Sequence, residues 1–145
     1  MVTRSALASE IVGTWRPVSV VNTRLDGSTG LPFGPNPSGI VVFQQNGHFA
    51  LILQRPDLPS FATNNRFAGT VEENKAIVQG TLAFFGTYSL QNMIITMHVE
   101  GGTWPGWTGS ALERHIISLS EDEMKWTDPS PTIGGSAENA WARIR

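Results

Sequence analysis

Eight short segments with strand character follow one another along this chain, and a single convincing helix interrupts them. They are rich in β-branched or aromatic residues and bounded by turn residues, in keeping with 15 glycines and 9 prolines in the sequence. Consecutive strands joined by short turns favour an antiparallel meander closed into a barrel, with a two-sheet sandwich as the alternative. The expected strands are 14–24, 40–45, 48–54, 81–90, 93–100, 108–119, 124–127 and 138–145. We therefore predict an all-β fold, an antiparallel eight-stranded barrel with one main short helix and an interior that fits side chains or one small ligand.

A capping pattern marks the helix. Thr70 is followed three residues later by Glu73, the spacing at which a hydroxyl and a carboxylate each accept a hydrogen bond from the other's backbone amide. The helix is expected over 72–79 and to stop at Gly80. A shorter helical turn is expected over 9–13, just before the first strand.

Length and composition exclude several classes of protein. A chain of 145 residues fits one domain, 1–145, and its net charge of −2 gives no reason to expect a nucleic-acid partner. The absence of cysteine excludes disulfides, thiol nucleophiles and thiolate metal sites. No apolar run is long enough to predict a membrane span. Residues 1–8 are too short and mixed for a secretory signal, so a cytoplasmic location is expected.

The motif content predicts neither a cofactor nor a metal. The glycine patterns that cradle dinucleotides or phosphates do not occur in the sequence. The three histidines, His48, His98 and His115, lie far apart and lack the spacing of metal-binding pairs.

The segments 40–45 and 48–54 predict a hairpin around Asn46-Gly47, a pair that favours a two-residue type I′ turn. In that register Phe43 faces Ala50. Both faces of the hairpin are apolar, so both are expected to be covered. One face belongs to the core, and the other requires the helix, the long loop over 25–37 or a second subunit in a homodimer.

The segments 81–90 and 93–100 predict a second hairpin, with Gln91-Asn92 as its turn. One face is apolar and reads as core: Phe84, Gly86, Tyr88, Leu90, Met93, Ile95, Met97 and Val99. The other face is mixed and places His98 and Glu100 beside Phe85, because alternate strand residues share a face. On the outside, His98 and Glu100 are ordinary surface residues. On the inside, they form a pair able to transfer protons.

Three further side chains are candidates for ligand contact. Arg114 offers a planar fork for a carboxylate or enolate, or else forms a surface ion pair with Glu113 or Glu138. Tyr88, the only tyrosine, donates a hydrogen bond into a pocket or belongs to the core with its hydroxyl at the rim. Trp107, with nearby Trp104, is placed to cap a pocket or a barrel end.

The ordered motifs along the chain resemble the small lipocalin-like domain proteins of bacteria and fungi. The resemblance covers almost the whole chain and depends on the order and spacing of its pieces. These are Val12-Gly13-Thr14-Trp15, Asp26-Gly27, Pro32-Phe33-Gly34, Gly39, Arg55-Pro56-Asp57, Phe85-Gly86-Thr87-Tyr88, His98-Val99-Glu100, Trp107-Thr108-Gly109, Arg114 and Trp141-Ala142-Arg143.

The resemblance implies a closed barrel with an internal pocket. It also implies that Trp15 closes one end under Arg143 or Arg145, since an indole face attracts a guanidinium. Because His98-Val99-Glu100 belongs to the motif set, the resemblance implies that His98 and Glu100 point inward or line the barrel mouth.

Two functional hypotheses follow, from different classes. In the first, a small apolar, cyclic or polyketide-like metabolite binds among Phe85, Tyr88, Trp107 and Arg114. His98 and Glu100 then act as a catalytic acid–base pair in a cofactor-independent isomerase, cyclase or lyase. In the second, the same pocket serves a non-catalytic binding or carrier protein. A third, weaker hypothesis is an accessory or oligomerisation domain whose barrel is filled by its own side chains.

Overall fold

Nine strands and one α-helix make up most of the regular structure of residues 8–145, the part of the chain that the computed structural model describes. The strands are β1 (Gly13–Thr23), β2 (Thr29–Gly30), β3 (Ser38–Phe43), β4 (His48–Gln54), β5 (Thr81–Gln91), β6 (Ile94–Gly102), β7 (Ala111–Leu119), β8 (Glu123–Asp128) and β9 (Ser136–Ile144). The helix is α1 (Val71–Gly80), and two single 3₁₀ turns lie at Ala8–Glu10 and Pro105–Trp107.

The first strand closes the sheet into a barrel. β1 pairs antiparallel with β3 on one side and with β9 on the other, so Trp15 lies between Val41 and Arg143. From β3 to β9, each strand pairs antiparallel with the strand that follows it in the sequence. The two-residue strand β2 pairs only with the far end of β1, which leaves eight strands in the closed barrel. This confirms the predicted antiparallel eight-stranded barrel with one helix and excludes the sandwich.

The helix begins at the predicted capping box. The Thr70 hydroxyl accepts a hydrogen bond from the Glu73 amide at 3.1 Å, and the Glu73 carboxylate accepts one from the Thr70 amide at 2.8 Å. The same carboxylate also accepts from the Ala62 amide at 2.8 Å. These backbone hydrogen bonds lower the pKa of Glu73. The predicted helix over 72–79 is therefore confirmed, with one more residue at each end.

The first hairpin has a longer turn than the predicted one. Gln44 donates to the His48 carbonyl at 2.9 Å, which leaves a three-residue loop in which Gly47 has a φ of +87°. The Asn46 side chain accepts from the His48 amide at 3.2 Å and supports this turn. The predicted type I′ turn and the Phe43–Ala50 pairing are wrong, because the extra loop residue shifts the register so that Phe43 pairs with Phe49.

The second hairpin turns one residue later than predicted. Gln91 pairs with Ile94, and Asn92 and Met93 both have positive φ, at 52° and 64°, as a type I′ turn requires. Moving the turn by one residue moves each cross-strand partner by two, so the faces are preserved. The predicted core face is confirmed, and Met97 is fully buried within it.

Trp15 closes one end of the barrel, as predicted. It is fully buried, its indole N–H donates to the Ile11 carbonyl at 3.0 Å, and the Arg143 guanidinium lies over its ring. Arg145 instead forms surface ion pairs with Asp122 and Glu121. Arg143 is therefore the closing arginine.

The outer face of β4 and β5 is apolar and open to solvent. Ile52 is 43% exposed and Phe85 is 51% exposed, so neither the helix nor the long loop covers this face. A second subunit as its cover stays a prediction.

Candidate functional site

A cavity of about 870 Å³ occupies the end of the barrel opposite Trp15. β1 starts near Trp15, and its other end contributes Val20 and Asn22 to the cavity wall. The apolar wall includes Leu51, Leu53, Leu82, Phe84, Trp107 and Trp126. This end of the eight-stranded barrel therefore holds an open cavity that its own side chains do not fill.

The mouth of the cavity is formed by the helix and by loops between strands. Ala76 and Ile77 of α1 face the opening, together with segments 55–59, 103–104 and 131–133. Several rim side chains are apolar and exposed, with Val78 at 68%, Ile133 at 64% and Trp104 at 47%. An apolar ligand approaching the cavity therefore meets an apolar rim.

Arg114 lies on the cavity wall and is only 5% exposed. Its Nη1 lies 3.3 Å from Oδ1 of Asp128, which is also buried, and donates to the Glu113 carbonyl at 3.1 Å. Burial lowers the pKa of Arg114, and the charge of Asp128 opposes that shift. Neither Glu113 nor Glu138 is its carboxylate partner. Both predicted surface ion pairs are therefore wrong, and the side chain points into the barrel.

Trp107 forms an aromatic wall beside Arg114. Its ring lies 5.0 Å from that of Phe84 in an edge-to-face arrangement, and the Arg114 Cζ lies 5.7 Å from its centroid. The 3₁₀ turn Pro105–Trp107 fixes its backbone, and the Ser110 hydroxyl donates to its carbonyl. The structure thus brings together two of the predicted contact residues, Trp107 and Arg114.

Tyr88 lies away from the cavity. Its hydroxyl donates to the Gln44 carbonyl at 2.7 Å, and its ring packs edge-to-face on Phe43 at 4.9 Å. Burial raises the pKa of the Tyr88 phenol. Tyr88 therefore belongs to the core and does not donate a hydrogen bond into the cavity.

His98, Glu100 and Phe85 lie on the outer surface of the barrel. Along β6 the buried residues are Met97 and Val99, so strand alternation turns His98 and Glu100 outward. Phe85 lies on the same outer face of β5. The expectation that His98 and Glu100 point inward is therefore wrong, because the apolar neighbours of each residue determine which face is buried.

The sequence model of the lipocalin-like domain matches residues 12–144, which includes every strand of the barrel. The chain belongs to the lipocalin-like domain family. The comparison with curated proteins finds no match.

Two solved structures are similar to this lipocalin-like barrel. A lipocalin-like protein from Bacteroides uniformis has a TM-score of 0.52 at 17% identity, over 93% of this chain and 99% of that one. A redesigned β-barrel has a TM-score of 0.50 at 15% identity, over 99% of this chain and 100% of that one. At such identities the likeness shows the fold alone.

Sequence reasoning missed three polar residues of the lipocalin-like cavity, Asn22, Asp128 and Asn139, all of which are buried. A signal for Asp128 was present, because alternation from buried Trp126 places Asp128 on the same inward face. The predicted strand ended at Thr127 and left Asp128 out.

Among residues 8–145, no three His, Cys, Asp or Glu side chains converge as a metal site requires. No helix in that range has the length and apolar character to cross a membrane.

Proposed function

We propose that this protein binds a small apolar or aromatic molecule in the cavity of its barrel. The observation that carries the proposal is the unfilled volume of about 870 Å³, walled mainly by apolar side chains. Small-molecule sites commonly measure about 300–1,000 Å³ and combine such walls with a few polar groups. A barrel filled by its own side chains, as in the accessory-domain hypothesis, lacks this space.

The proposed contact residues are Trp107 and Arg114. Trp107 and Phe84 offer aromatic surface to a ring of the ligand, and Arg114 offers N–H donors to a polar group on it. Phe85 and Tyr88 lie outside the cavity lining and are left out of the proposed site.

Binding, rather than catalysis, is the function proposed. The acid–base role of His98 and Glu100 stays a prediction, and it requires a substrate on the outer face of β6 rather than in the cavity. The carrier hypothesis needs only the cavity, so the geometry favours it.

A cavity-filling variant tests the proposal. Ala137 is buried on the cavity wall, so Ala137→Phe places a ring where the ligand lies. Ala111 is exposed on β7, so Ala111→Phe is the matched control. Titration of the neutral fluorescent probe N-phenyl-1-naphthylamine is expected to show saturable binding to wild type and to Ala111→Phe.

Ala137→Phe is expected to bind the probe at least about tenfold more weakly, with a thermal melt confirming that it folds. Equal affinity in Ala137→Phe and wild type contradicts binding inside the barrel.

A further inference from the structure

Four polar side chains meet on one wall of the cavity. They are Asn22, Arg114, Asp128 and Asn139, with exposures of 3%, 5%, 8% and 8%, and all four line the cavity. Polar groups this deeply buried normally have hydrogen-bond partners. The groups that lack a partner within the protein therefore indicate which ligand groups the cavity binds.

The hydrogen bonds of Arg114 use one nitrogen. Nη1 donates to the Glu113 carbonyl and lies closest to Asp128, whereas Nε and Nη2 donate to no group within residues 8–145. Donors on this wall are thus left for an acceptor on the ligand.

Acceptors are left over as well. Oδ1 of Asp128 accepts from the Ser130 amide at 3.0 Å, and Oδ2 accepts from no residue in the described range. Asn22 uses only its amide N–H groups, which donate to the carbonyls of Gly134 and Ser136. Its carbonyl oxygen accepts from no described residue. A ligand hydroxyl fits these acceptors.

The charge of the wall is already balanced. The charged groups of the described lining are the deep pair Arg114–Asp128 and the rim pair Arg55–Asp57. A carboxylate bound beside Arg114 therefore adds an uncompensated negative charge next to the buried Asp128, which is unfavourable. A wholly apolar ligand leaves the unused donors and acceptors dry, which is also unfavourable.

We infer that the ligand is a neutral molecule that has a carbonyl and a hydroxyl group close together on an apolar ring system, a hydroxy-ketone in chemical class. The carbonyl accepts from the free N–H groups of Arg114, and the hydroxyl donates to Oδ2 of Asp128. This inference rests on the proposed function, since it names the chemistry of the ligand that the same cavity takes.

Matched compounds test the inference on the wild-type protein. Calorimetry compares four naphthalenes at about pH 7, where a carboxylic acid is ionised. They are 2-ethylnaphthalene, 2-acetylnaphthalene, 2-naphthoic acid and 2-(hydroxyacetyl)naphthalene. The hydroxy-ketone is expected to bind at least about tenfold more tightly than the acid and more tightly than the ketone, because it alone engages both donor and acceptor groups.

The variant Asp128→Asn is expected to weaken the discrimination against the acid. It removes the charge that balances Arg114, so 2-naphthoic acid is expected to gain at least about tenfold in affinity while the hydroxy-ketone loses affinity. Glu138→Gln, on the outer face of β9, removes the same charge from the surface and is expected to leave both affinities unchanged.

Several outcomes overturn the inference. An acid that binds wild type as tightly as the hydroxy-ketone overturns it, and this comparison stands even where Asp128→Asn fails to fold. An unchanged acid affinity in folded Asp128→Asn overturns it as well. In both cases the proposed function survives, because ligands still bind. Binding of none of the four compounds, nor of N-phenyl-1-naphthylamine, overturns the proposed function together with this inference.

Discussion

The guanidinium of Arg143 lies over the indole of Trp15, with its Cζ 4.2 Å from the ring centroid. Its Nη1 and Nη2 donate to the carbonyls of Val12 and Glu10, each at 2.8 Å. One side chain of the last strand therefore binds both the segment that enters the first strand and the tryptophan beneath it. This contact joins the two ends of the described chain at the closed end of the barrel.

Trp15→Ala is expected to lower the free energy of unfolding by about 3–5 kcal/mol, because truncating a buried aromatic side chain leaves a cavity. Trp15 is fully buried, whereas Trp104 is 47% exposed at the rim. Trp104→Ala is therefore the control and is expected to change stability little. Urea denaturation measures both, and a stability loss below that of Trp104→Ala contradicts the closing role.

Arg143→Ala is expected to cost about 1.5–3 kcal/mol of unfolding free energy, as the loss of charge-assisted hydrogen bonds does. Arg145, two residues later, pairs within residues 8–145 with Asp122 and Glu121 at the solvent-exposed surface, and such pairs contribute little. Arg145→Ala is thus expected to leave the denaturation midpoint nearly unchanged. Equal effects from the two arginines in parallel urea titrations count against the closing contact.

Variants on the inner and outer faces of the barrel wall distinguish binding in the cavity from binding on the outer surface. Trp107→Ala is expected to weaken binding of an aromatic probe by about three- to tenfold, the size of a lost ring contact. His98→Ala and Glu100→Gln are expected to leave that affinity unchanged, since both side chains point outward. Fluorescence titration of the three variants decides the matter, and a loss in His98→Ala places the ligand on the outer face.

The helix cap predicts a local dependence on pH. The pKa of Glu73 is lowered from its ordinary value of 4.5 by backbone hydrogen bonds from Thr70 and Ala62. Because the folded-state pKa of Glu73 is lowered, the ionised carboxylate stabilises the cap fully at pH values above the ordinary pKa. The stabilisation is lost as the pH falls through the folded-state pKa. Amide-exchange protection at the start of α1 is therefore expected to fall in acid.

Three variants test whether the Glu73 cap causes this pH dependence. Glu73→Gln is expected to abolish the acid-dependent part of the protection, whereas Glu72→Gln, which holds no backbone amide among the described residues, is expected to retain it. Thr70→Ala is expected to cost the helix about 1 kcal/mol at neutral pH, as the loss of a cap does. Protection in Glu73→Gln that still falls with pH rules out this carboxylate as the cause.

Elements that depend on local chemistry could be predicted from the sequence. The capping box from Thr70 to Glu73 satisfies its own backbone groups, so four neighbouring residues suffice to predict the start of the helix. Short strands with frequent turns predicted the barrel, and the family resemblance carried by the motif set implied that Trp15 closes one end. The helix cap and the strand pattern depend on contacts close in sequence or on spacing that the chain displays directly.

The folded barrel was needed to establish that His98 and Glu100 point outward and which polar groups meet in the cavity. His98 and Glu100 share a face in any register, but burial of Met97 and Val99 on the opposite face turns them outward. The partner of Arg114 is Asp128 on the next strand, and Asn22 joins them from the far end of β1. Barrel closure brings these groups together across more than a hundred residues, a distance over which no local pattern in the sequence carries information.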